Sequence, residues 1–402
     1  MKKILLLTYL FQNSYKKNSS TFFWDYAISL KRSGYDVAVL SVIPISIKEI
    51  FKKRKLDIGF RYYLGEEGVK VYTCQIISLP FLKRLNYFLK IFFGKKIFSF
   101  ILNSGWVPDL IHVHSFLTGN LPVWIKNKFD INYITTEHNS GFYYNHFSKY
   151  EIKLAFNLYS NSTSNYAVSN SFVNHLNNKF TCLKNKFQYF PNVIDVNFFN
   201  YEKQNKHKFD FINVGRLDNN KNHLILIQSF LKSFPNPSSK NLIIIGDGPN
   251  KKILHDFICN NNLNERVFLK GELSRKKIAE YLSVSKFFIL TSVHETFGVS
   301  VVEAMSCGLP VISTFCGGPE SIIINNTDFK NGILCENKKN KISAAMLCVF
   351  KTKFNRKKIR DYVVDKFSYT EYVKLIKQNI DKTRKYYCFF SCLLFSQWNY
   401  FH

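Results

Sequence analysis

Short apolar runs alternate with longer mixed segments along the whole of this 402-residue chain. A short apolar run is typical of a buried strand, and a longer segment with apolar residues at helical spacing is typical of a helix that crosses between parallel strands. The pattern predicts an α/β protein. We expect strands near residues 3–10, 36–42, 69–74, 109–114, 131–136, 165–168, 186–190, 209–214, 241–245, 266–269, 286–291 and 310–314.

A polar segment over residues 201–208 divides the predicted strands into two sets. It contains few groups able to join a hydrophobic core, which indicates a linker. Each set of strands would form one doubly wound, Rossmann-like domain, so we predict domains over 1–200 and 201–367. Residues 368–402 are expected to form a helix that returns to the first domain, followed by an apolar tail over 386–402. Two such domains would leave a cleft, lined by the loops at the carboxyl ends of their strands.

Composition limits the functions that such a fold could serve. The chain carries 56 Lys and Arg against 28 Asp and Glu, a net charge of +28. No helix-turn-helix, zinc-finger spacing or aromatic-basic repeat accompanies that charge, which argues against nucleic acid as a partner. The nine cysteines include no Cys-x-x-Cys pair, which argues against a disulfide scaffold or a structural zinc site and indicates a reducing, cytoplasmic interior.

The charge surplus is densest between residues 48 and 96, where twelve Lys and Arg stand against four acidic residues. Within this segment, residues 81–96 interleave basic and large apolar side chains, a pattern typical of a helix that lies on an anionic bilayer. The pattern also fits a helix that turns its apolar residues to the core and its basic residues to solvent. Both interpretations stay open, as does a general basic bias of the sequence.

The most specific motif, over residues 294–312, places Glu295 in a loop after a predicted strand and Glu303 in a short helix. Gly298 would let the backbone approach a ligand, and the helix that starts at about Val299 would direct its free N–H groups toward a phosphate. Eight residues of helix would separate the two carboxylates by about 12 Å, too far for the roughly 5 Å pair of a retaining hydrolase. The motif therefore predicts two contacts with two parts of one ligand.

Two cations, Arg216 and Lys221, stand in the loop after the predicted strand at 209–214. Cations at a strand end can reach the same anion, the guanidinium by a forked pair of hydrogen bonds and the ammonium as a point charge. A solvated loop with two surface cations is the alternative. Gly246 stands in a glycine turn after the next predicted strand, a weaker signal because such turns also serve merely as tight connections.

Taken together and in this order, these segments resemble the retaining nucleotide-sugar glycosyltransferases of family 4, which have the GT-B fold. The resemblance covers nearly the whole chain and is most specific in the second half. It implies two Rossmann-like domains that face a cleft, the first binding the acceptor and the second binding the nucleotide sugar. The matching segments are 190–195, 215–217 with Lys221, 246–249, Glu295 with Glu303, 317–320 and 331–332.

The resemblance implies a role for each matching residue. Arg216 and Lys221 would hold the donor diphosphate, and Glu295 would contact the hydroxyls of the donor sugar. Glu303 would hydrogen bond the ribose, its alternative being a helix carboxylate in an ion pair. His138, at the end of a predicted strand, would face the transferred sugar and complete a catalytic set with Glu295, Arg216 and Lys221. The remaining donor-binding positions would be Gly246, Leu269, Lys270, Phe297, Gly298 and Val299.

Two further histidines, His112 and His114, flank Val113 in a predicted strand. Because side chains alternate along a strand, both should lie on the same face of the sheet. Without a cluster of carboxylates they do not predict a metal site. The chain departs from the family at residues 12–21, where the usual glycine-rich loop contains no glycine, so acceptor contacts carried by that loop are not implied.

The implied activity is transfer of a hexose-type sugar, with retention, from a UDP- or GDP-linked donor to a lipid-linked or polysaccharide acceptor. Such reactions build cell-surface glycans, including lipopolysaccharide and capsule. No Asp-x-Asp stands where a metal would bridge the diphosphate, so we expect neither metal nor other cofactor. We expect the protein in the cytoplasm, and the membrane-facing interpretation of residues 48–96 would place it on the inner face of the membrane as a peripheral protein. A noncatalytic sugar-nucleotide-binding relative and a basic membrane-surface adaptor remain as alternatives.

Overall fold

The structure is a computed structural model that describes residues 1–11, 22–53, 56–200, 208–235 and 240–382, without the side chains of residues 52 and 53. The loop at 12–21, the linker up to residue 207 and the tail at 386–402 lie outside the described residues. The chain divides into two compact units. The first contains Met1–Val168, Val173–Val193 and the chain from Tyr369, and the second contains Ser169–Phe172 and Ile194–Ser368.

The first unit is built on a sheet that has eight strands within the described residues, in the order β3-β4-β2-β1-β5-β6-β7-β8. All neighbours pair in parallel except β3 and β4. The strands are β1 Lys3–Thr8, β2 Asp36–Ser46, β3 Gly59–Leu64, β4 Lys70–Ser78, β5 Leu110–His114, β6 Tyr133–Glu137, β7 Ser164–Ala167 and β8 Phe187–Tyr189.

Helices cover this sheet, and the sequence of the first of them explains why it forms a helix. The helices are α1 Phe22–Arg32, α2 Ile47–Lys53, α3 Lys83–Asn103, α4 Leu121–Phe129, α5 Lys149–Asn161 and α6 Asn170–Lys179. In α1, the apolar Phe23, Tyr26 and Leu30 recur at helical spacing and are buried in the core. Gly34, with a φ of +84°, ends the helix before β2.

The second unit is built on a parallel sheet of six strands within the described residues, in the order β11-β10-β9-β12-β13-β14. The strands are β9 Phe209–Val214, β10 Leu242–Ile245, β11 Val267–Leu269, β12 Ser285–Leu290, β13 Val311–Thr314 and β14 Gly332–Cys335. The order reverses beside β9, which separates β10 from β12. Open parallel sheets bind ligands at such a switch point, beyond the carboxyl ends of the strands.

The helices of the second unit connect these strands, and a last helix joins the core of the first unit. The helices are α7 His223–Ser233, α8 Lys251–Asn260, α9 Arg275–Ser283, α10 Val299–Ser306, α11 Lys339–Cys348 and α12 Arg356–Phe367, followed by α13 over 369–382. Tyr372, Ile376 and Ile380 of α13 are buried in the same core cluster as β1 and α1. In the described part of the chain, none of the helices combines the length and apolarity needed to cross a bilayer.

The fold class predicted from the sequence is confirmed, and two strands were missed. β3 is an antiparallel edge strand whose side chains are mostly exposed, so its sequence lacks the apolar run that marks a buried strand. β14 has only four residues and begins at Gly332. A Cβ on Gly332 would lie 2.3 Å from the carbonyl oxygen of Val311. A run of four residues that begins with glycine is too short to mark a strand by its hydrophobic pattern.

Candidate functional site

Two loops at the carboxyl edge of the second sheet interlock through their backbones. The loop after β9 begins at Gly215, and the loop after β10 begins at Gly246. The N–H of Gly215 donates to the carbonyl of Ile245 over 3.0 Å. Gly246 has a φ of +146°, and a Cβ there would lie 1.9 Å from the carbonyl oxygen of Gly215. Because any side chain would collide with that carbonyl, Gly246 supports the loop that carries Arg216.

Lys221 and Glu295, both predicted as donor contacts, form an ion pair. The Nζ of Lys221 donates to Oε1 of Glu295, and the hydroxyl of Ser292 donates to the same oxygen over 2.7 Å. The side chains of Lys221 and Glu295 are only 21% and 13% exposed, so water screens their charges weakly. β9 and β12, whose loops carry the two residues, are neighbours in the sheet.

The ion pair keeps the lysine charged. Burial lowers the pKa of Lys221, but the carboxylates of Glu295 and Asp218 raise it, and the net direction is upward. An ammonium group has three N–H donors, so Lys221 can bind an anion while it still contacts Glu295. The site therefore presents a fixed cation beside a carboxylate.

Asn220 ties together the two loops that carry this pair. Its side-chain amide donates to the carbonyl of His294 over 3.0 Å, and its side-chain oxygen accepts from the N–H of the same residue over 3.0 Å. Its own carbonyl accepts from the N–H of Val293 over 2.7 Å. These three hydrogen bonds hold the residue before Lys221 against the residue before Glu295. Sequence reasoning missed Asn220, because an asparagine in a polar loop carries no distinguishing signal.

Arg216 behaves differently from Lys221. Its side chain is 69% exposed, and its Nε lies 3.5 Å from a carboxylate oxygen of Asp218. An exposed pair at this distance contributes little to stability. The structure therefore leaves the guanidinium at the loop surface, while it fixes the ammonium of Lys221 against Glu295.

The helix predicted to begin at Val299 does begin there, and Gly298 immediately precedes it with a φ of +103°. The first N–H groups of a helix have no acceptor within the helix, so they point outward from its start. Phe297 is 1% exposed, and a Cβ on Gly318 would lie 2.2 Å from its carbonyl oxygen, which fixes the backbone before the helix. Glu303 is partly buried on α10.

Leu269 and Lys270 lie at the end of the edge strand β11. Leu269 is the last residue of the strand, and the N–H of Lys270 donates to the carbonyl of Ile244 over 3.0 Å. The Nζ of Lys270 lies 5.4 Å from the ring centroid of Phe268. The N–H of Lys270 is thus engaged within the sheet, two strands away from β9.

In the first unit, His138 follows β6 and contacts a second histidine. Its Nε2 lies 3.0 Å from Nδ1 of His114, and the two rings stack with centroids 5.2 Å apart. The ring of His112 lies 4.1 Å from that of His114, so strand alternation does place His112 and His114 on one face, as predicted. Burial lowers the pKa of His138 to about 3, while the side chain of Asn192, which hydrogen bonds it, raises the pKa. The histidines are neutral at physiological pH.

The residue before His138 is a buried carboxylate that holds the local backbone. Oε1 of Glu137 accepts from the N–H groups of His138 (2.9 Å) and Asn139 (2.8 Å). Oε2 accepts from the N–H of Phe116 (2.9 Å) and the hydroxyl of Tyr159 (2.7 Å). Burial raises the pKa of Glu137, and these hydrogen bonds lower it, with a net upward direction. The sequence gives no sign of this role, which depends on Phe116 and Tyr159 from two other segments.

Over the ranges that the structure describes, no three His, Cys, Asp or Glu side chains stand close enough together to hold a metal ion. The predicted residues of the second unit thus lie at the end of β11, on loops at the carboxyl edge of the sheet or on α10, with Lys221 and Glu295 in direct contact. His138 lies in the first unit.

Comparison with known proteins identifies the family. The sequence profile described as "Glycosyl transferases group 1" matches residues 196–364, and the profile described as "Glycosyltransferase Family 4" matches residues 19–198. The chain belongs to the family 4 (group 1) glycosyltransferases. Together the two profiles account for both units of this glycosyltransferase, in the order expected from the sequence.

Two archaeal relatives from Methanocaldococcus jannaschii, both described as uncharacterized glycosyltransferases, show how far the likeness extends. One is 37% identical over 155 residues, which cover 36% of this chain and 38% of the relative. The other is 29% identical over 309 residues, which cover 73% of this chain and 80% of the relative. The match to the first relative thus spans well under half of that protein's length.

Solved structures share the fold of this glycosyltransferase at low sequence identity. Sucrose-phosphate synthase from Thermosynechococcus elongatus has a TM-score of 0.72 at 15% identity, over 96% of this chain and all of that chain. The Anabaena protein HepE, in complex with UDP and glucose, has a TM-score of 0.68 at 17% identity, over 95% of this chain and all of that chain. Both are similar over nearly the full length, so the fold is the GT-B fold.

Proposed function

We propose that this glycosyltransferase moves a hexose-type sugar from a UDP- or GDP-linked donor to a hydroxyl of a lipid-linked or polysaccharide acceptor. We further propose that transfer retains the anomeric configuration and needs no metal ion. The second unit would bind the donor and the first unit the acceptor. The HepE complex with UDP and glucose supports a nucleotide-sugar donor by analogy.

The observation that carries this proposal is the ion pair of Lys221 and Glu295. A nucleotide sugar presents a dianionic diphosphate next to a sugar with several hydroxyls. An ammonium suits the first group and a carboxylate suits the second, and here the two are held side by side. Asn220 keeps the two loops together, so both groups would meet one ligand at a fixed spacing.

Positive charge would stabilise the departing diphosphate as its bond to the anomeric carbon breaks. Lys221, Arg216 and the first N–H groups of α10 would supply that charge where negative charge develops. The exposed Arg216 would close on a bound phosphate, since among the described residues its guanidinium has an ion-pair contact only with Asp218, at 3.5 Å. Charge supplied in this way could replace a divalent cation.

Attack would come from the acceptor hydroxyl on the face from which the diphosphate leaves. The new bond joins the acceptor oxygen to the anomeric carbon, the bond from that carbon to the phosphate oxygen breaks, and the acceptor proton passes to the departing phosphate. No protein nucleophile is needed, and Glu295, engaged by Lys221 and Ser292, would serve as a hydrogen-bond acceptor for sugar hydroxyls. His138 would face the transferred sugar from the first unit.

A thermal-shift screen of sugar nucleotides tests this proposal. One donor should raise the melting temperature at micromolar concentration, and transfer should then be measured with that donor. Glu295→Gln and Arg216→Ala should each lower transfer at least tenfold, whereas Lys357→Ala, which removes an exposed cation of α12, should not. Binding without turnover in the wild type would indicate a noncatalytic relative. Full transfer in both site variants would refute the site.

We also propose that α3 attaches the first unit to the inner, anionic face of the cytoplasmic membrane. One face of α3 is buried, through Tyr87, Ile97 and Phe98 among others. Another face leaves Phe88 and Phe92 exposed by 62% and 41%, with their rings stacked. The core-facing and membrane-facing interpretations of this helix are therefore compatible. Exposed aromatic rings next to lysines favour an anionic lipid surface.

Vesicle sedimentation tests this attachment. The full chain should bind vesicles of phosphatidylglycerol more strongly than vesicles of phosphatidylcholine, and Phe88→Ser with Phe92→Ser should abolish the difference. Ile253→Ser is the matched control, because Ile253 is 57% exposed on α8 of the second unit. Equal binding to both kinds of vesicle would show that the charge surplus reflects composition alone.

A further inference from the structure

The two oxygen atoms of the Glu295 carboxylate have different surroundings. Oε1 accepts from the hydroxyl of Ser292 over 2.7 Å and from the ammonium of Lys221. Oε2 accepts from none of the described residues, yet it is not closed off from solvent. The carboxylate therefore has one oxygen that is engaged by the protein and one that is open at the surface.

Hydrogen-bond capacity explains what each oxygen can still do. The ionised carboxylate has no proton to give, so the hydroxyl of Ser292 must be the donor in their contact. With the ammonium of Lys221 as the second donor, both lone pairs of Oε1 are used. A ligand hydroxyl that hydrogen bonds Glu295 would therefore meet Oε2.

Ser292 and Glu295 are each held through their backbones. The carbonyl of Ser292 accepts from the hydroxyl of Thr314 over 2.7 Å and from the side-chain amide of Asn337 over 3.2 Å. The N–H of Glu295 donates to the carbonyl of Cys316 over 2.7 Å. Ser292 is also completely buried, so water does not compete for its hydroxyl. The hydroxyl and the carboxylate thus meet from two independently fixed positions.

We propose that Ser292 is a positioning residue that fixes the Glu295 carboxylate with Oε2 toward the donor sugar. The ion pair with Lys221 alone would not set this orientation, because an ammonium is a point charge with rotatable donors and can contact either oxygen. The inference rests on the proposed function, in which Glu295 contacts the sugar hydroxyls. It adds the atom that makes this contact and the residue that orients it.

This role has a specific consequence for ligand binding. The sugar hydroxyls would contact Oε2 of Glu295, whereas the diphosphate would contact Lys221, Arg216 and the start of α10. Loss of the Ser292 hydroxyl should therefore weaken binding of a sugar nucleotide and spare binding of the nucleoside diphosphate that lacks the sugar. General damage to the loops would weaken binding of both ligands.

Titration calorimetry on the full chain tests this difference. The probes are UDP with UDP-glucose and GDP with GDP-mannose, and the pair that binds the wild type is used. Ser292→Ala should weaken binding of the sugar nucleotide about tenfold and change binding of its nucleoside diphosphate less than about twofold. Equal weakening of both ligands, or unchanged binding of both, would overturn the proposal.

Ser285→Ala is the matched control. Ser285 begins β12, the strand that leads to Ser292, and both serines are completely buried. Its hydroxyl also donates over 2.7 Å, to the carbonyl of Tyr281. This variant removes an equivalent hydrogen bond at the opposite end of the strand, so it should change binding of neither ligand. The same selective loss in Ser285→Ala would overturn the proposal.

A second variant separates the hydrogen bond from packing. Ser292→Cys keeps a small side chain in the same place but offers a thiol, which is a much weaker donor. We expect the selective loss seen in Ser292→Ala. Full binding of the sugar nucleotide in Ser292→Cys would show that Ser292 acts by filling space, and would overturn its positioning role.

Crystal structures of the wild type and of Ser292→Ala, both without ligand, test the orientation without any donor. We expect the Glu295 carboxylate to be rotated in the variant while it stays in contact with Lys221. A carboxylate in the same orientation in both structures would overturn the proposal. Should no sugar nucleotide bind the wild type, the proposed function fails, and this comparison alone decides the role of Ser292.

Discussion

The candidate sites of the two units consist of different kinds of side chain, neutral in the first unit and charged in the second. In the first unit, His138 lies in a neutral, buried cluster of aromatic rings, and Glu137 is held by uncharged donors. In the second unit, the ammonium of Lys221 and the carboxylate of Glu295 form an ion pair and are mostly buried. In the first unit, neutral hydrogen bonds fix the position of a ring that must be oriented. In the second unit, charged side chains are retained where a charged ligand is expected.

The largest effect should come from the charged region. Lys221→Met removes the ammonium proposed to stabilise the diphosphate, so the transfer rate should fall by about two to three orders of magnitude. Stability should fall by only about 1–2 kcal/mol, because the carboxylate of Glu295, although only 13% exposed, keeps the hydrogen bond from the hydroxyl of Ser292. Steady-state kinetics and urea unfolding measure the two quantities.

The double variant Lys221→Met with Glu295→Gln sharpens this result. Removing both charges should restore most of the lost stability and none of the rate. Recovery of rate in the double variant would mean that the lysine serves only to neutralise Glu295.

The neutral region should respond in the opposite way, with stability rather than rate as the main readout. In Glu137→Gln, the NH2 group that replaces one carboxylate oxygen cannot accept a hydrogen bond, yet it would face two donors, because each carboxylate oxygen now accepts two hydrogen bonds. We expect a loss of about 2–4 kcal/mol in the free energy of unfolding. Glu280→Gln, in an exposed pair with Lys277, should cost under about 0.5 kcal/mol. Equal costs would remove the contrast between the units.

A third change tests how tightly the charged site is supported by its backbone. Gly246→Ala would place a Cβ 1.9 Å from the carbonyl oxygen of Gly215, so the loop that carries Arg216 must move. We expect a loss of about 2–3 kcal/mol of stability together with weaker donor binding, measured by urea unfolding and calorimetry. Gly271→Ala has a positive φ of +70° but no atom within 4 Å of the new Cβ, and should cost only about 1 kcal/mol. A smaller cost at Gly246 than at Gly271 would contradict the interlocked loops.

Mild acid tests the same comparison through the histidines. Burial lowers the pKa of His112 and of His138 to about 3, and that of His114 well below its usual value, in the folded chain. An unfolded histidine binds a proton below pH of about 6.5, so stability should be fully present above that pH and fall as the pH drops toward 3. Between pH 6.5 and 5, each buried histidine should contribute a loss of about 1 kcal/mol per pH unit.

Acid also distinguishes the two units. The buried His112 and His114 and the half-buried His138 lie in the first unit, whereas His223, whose pKa burial lowers to about 4, lies in the second. Hydrogen exchange of the full chain, corrected for the intrinsic pH dependence of exchange, should therefore show a larger loss of protection at pH 5 in β1, β5 and β6 than in β9 and β12. A flatter dependence of stability on pH in His112→Phe would confirm the cause, and an equal loss of protection in both sheets would refute it.

Much of the fold could be predicted from the sequence because buried parallel strands leave unbroken apolar runs. Edge strands do not, which is why β3 escaped prediction. At the site, the sequence indicated Lys221 and Glu295 separately, as cation and carboxylate on strand-end loops. Their contact could not be predicted, since it joins residues 74 positions apart through the adjacency of β9 and β12. That the rings of His112 and His114 lie on the same face could be predicted, because strand alternation alone places them there.

Hydrogen exchange with the donor bound tests the central claim most directly, that the charged edge of the second unit receives the nucleotide sugar. With the sugar nucleotide found by thermal shift, exchange should slow in the segments at 215–222 and 292–303, and Lys221→Met should abolish that protection. Protection of the first unit's β6 and α1 by donor alone, with the two segments of the second unit unchanged, would contradict the account.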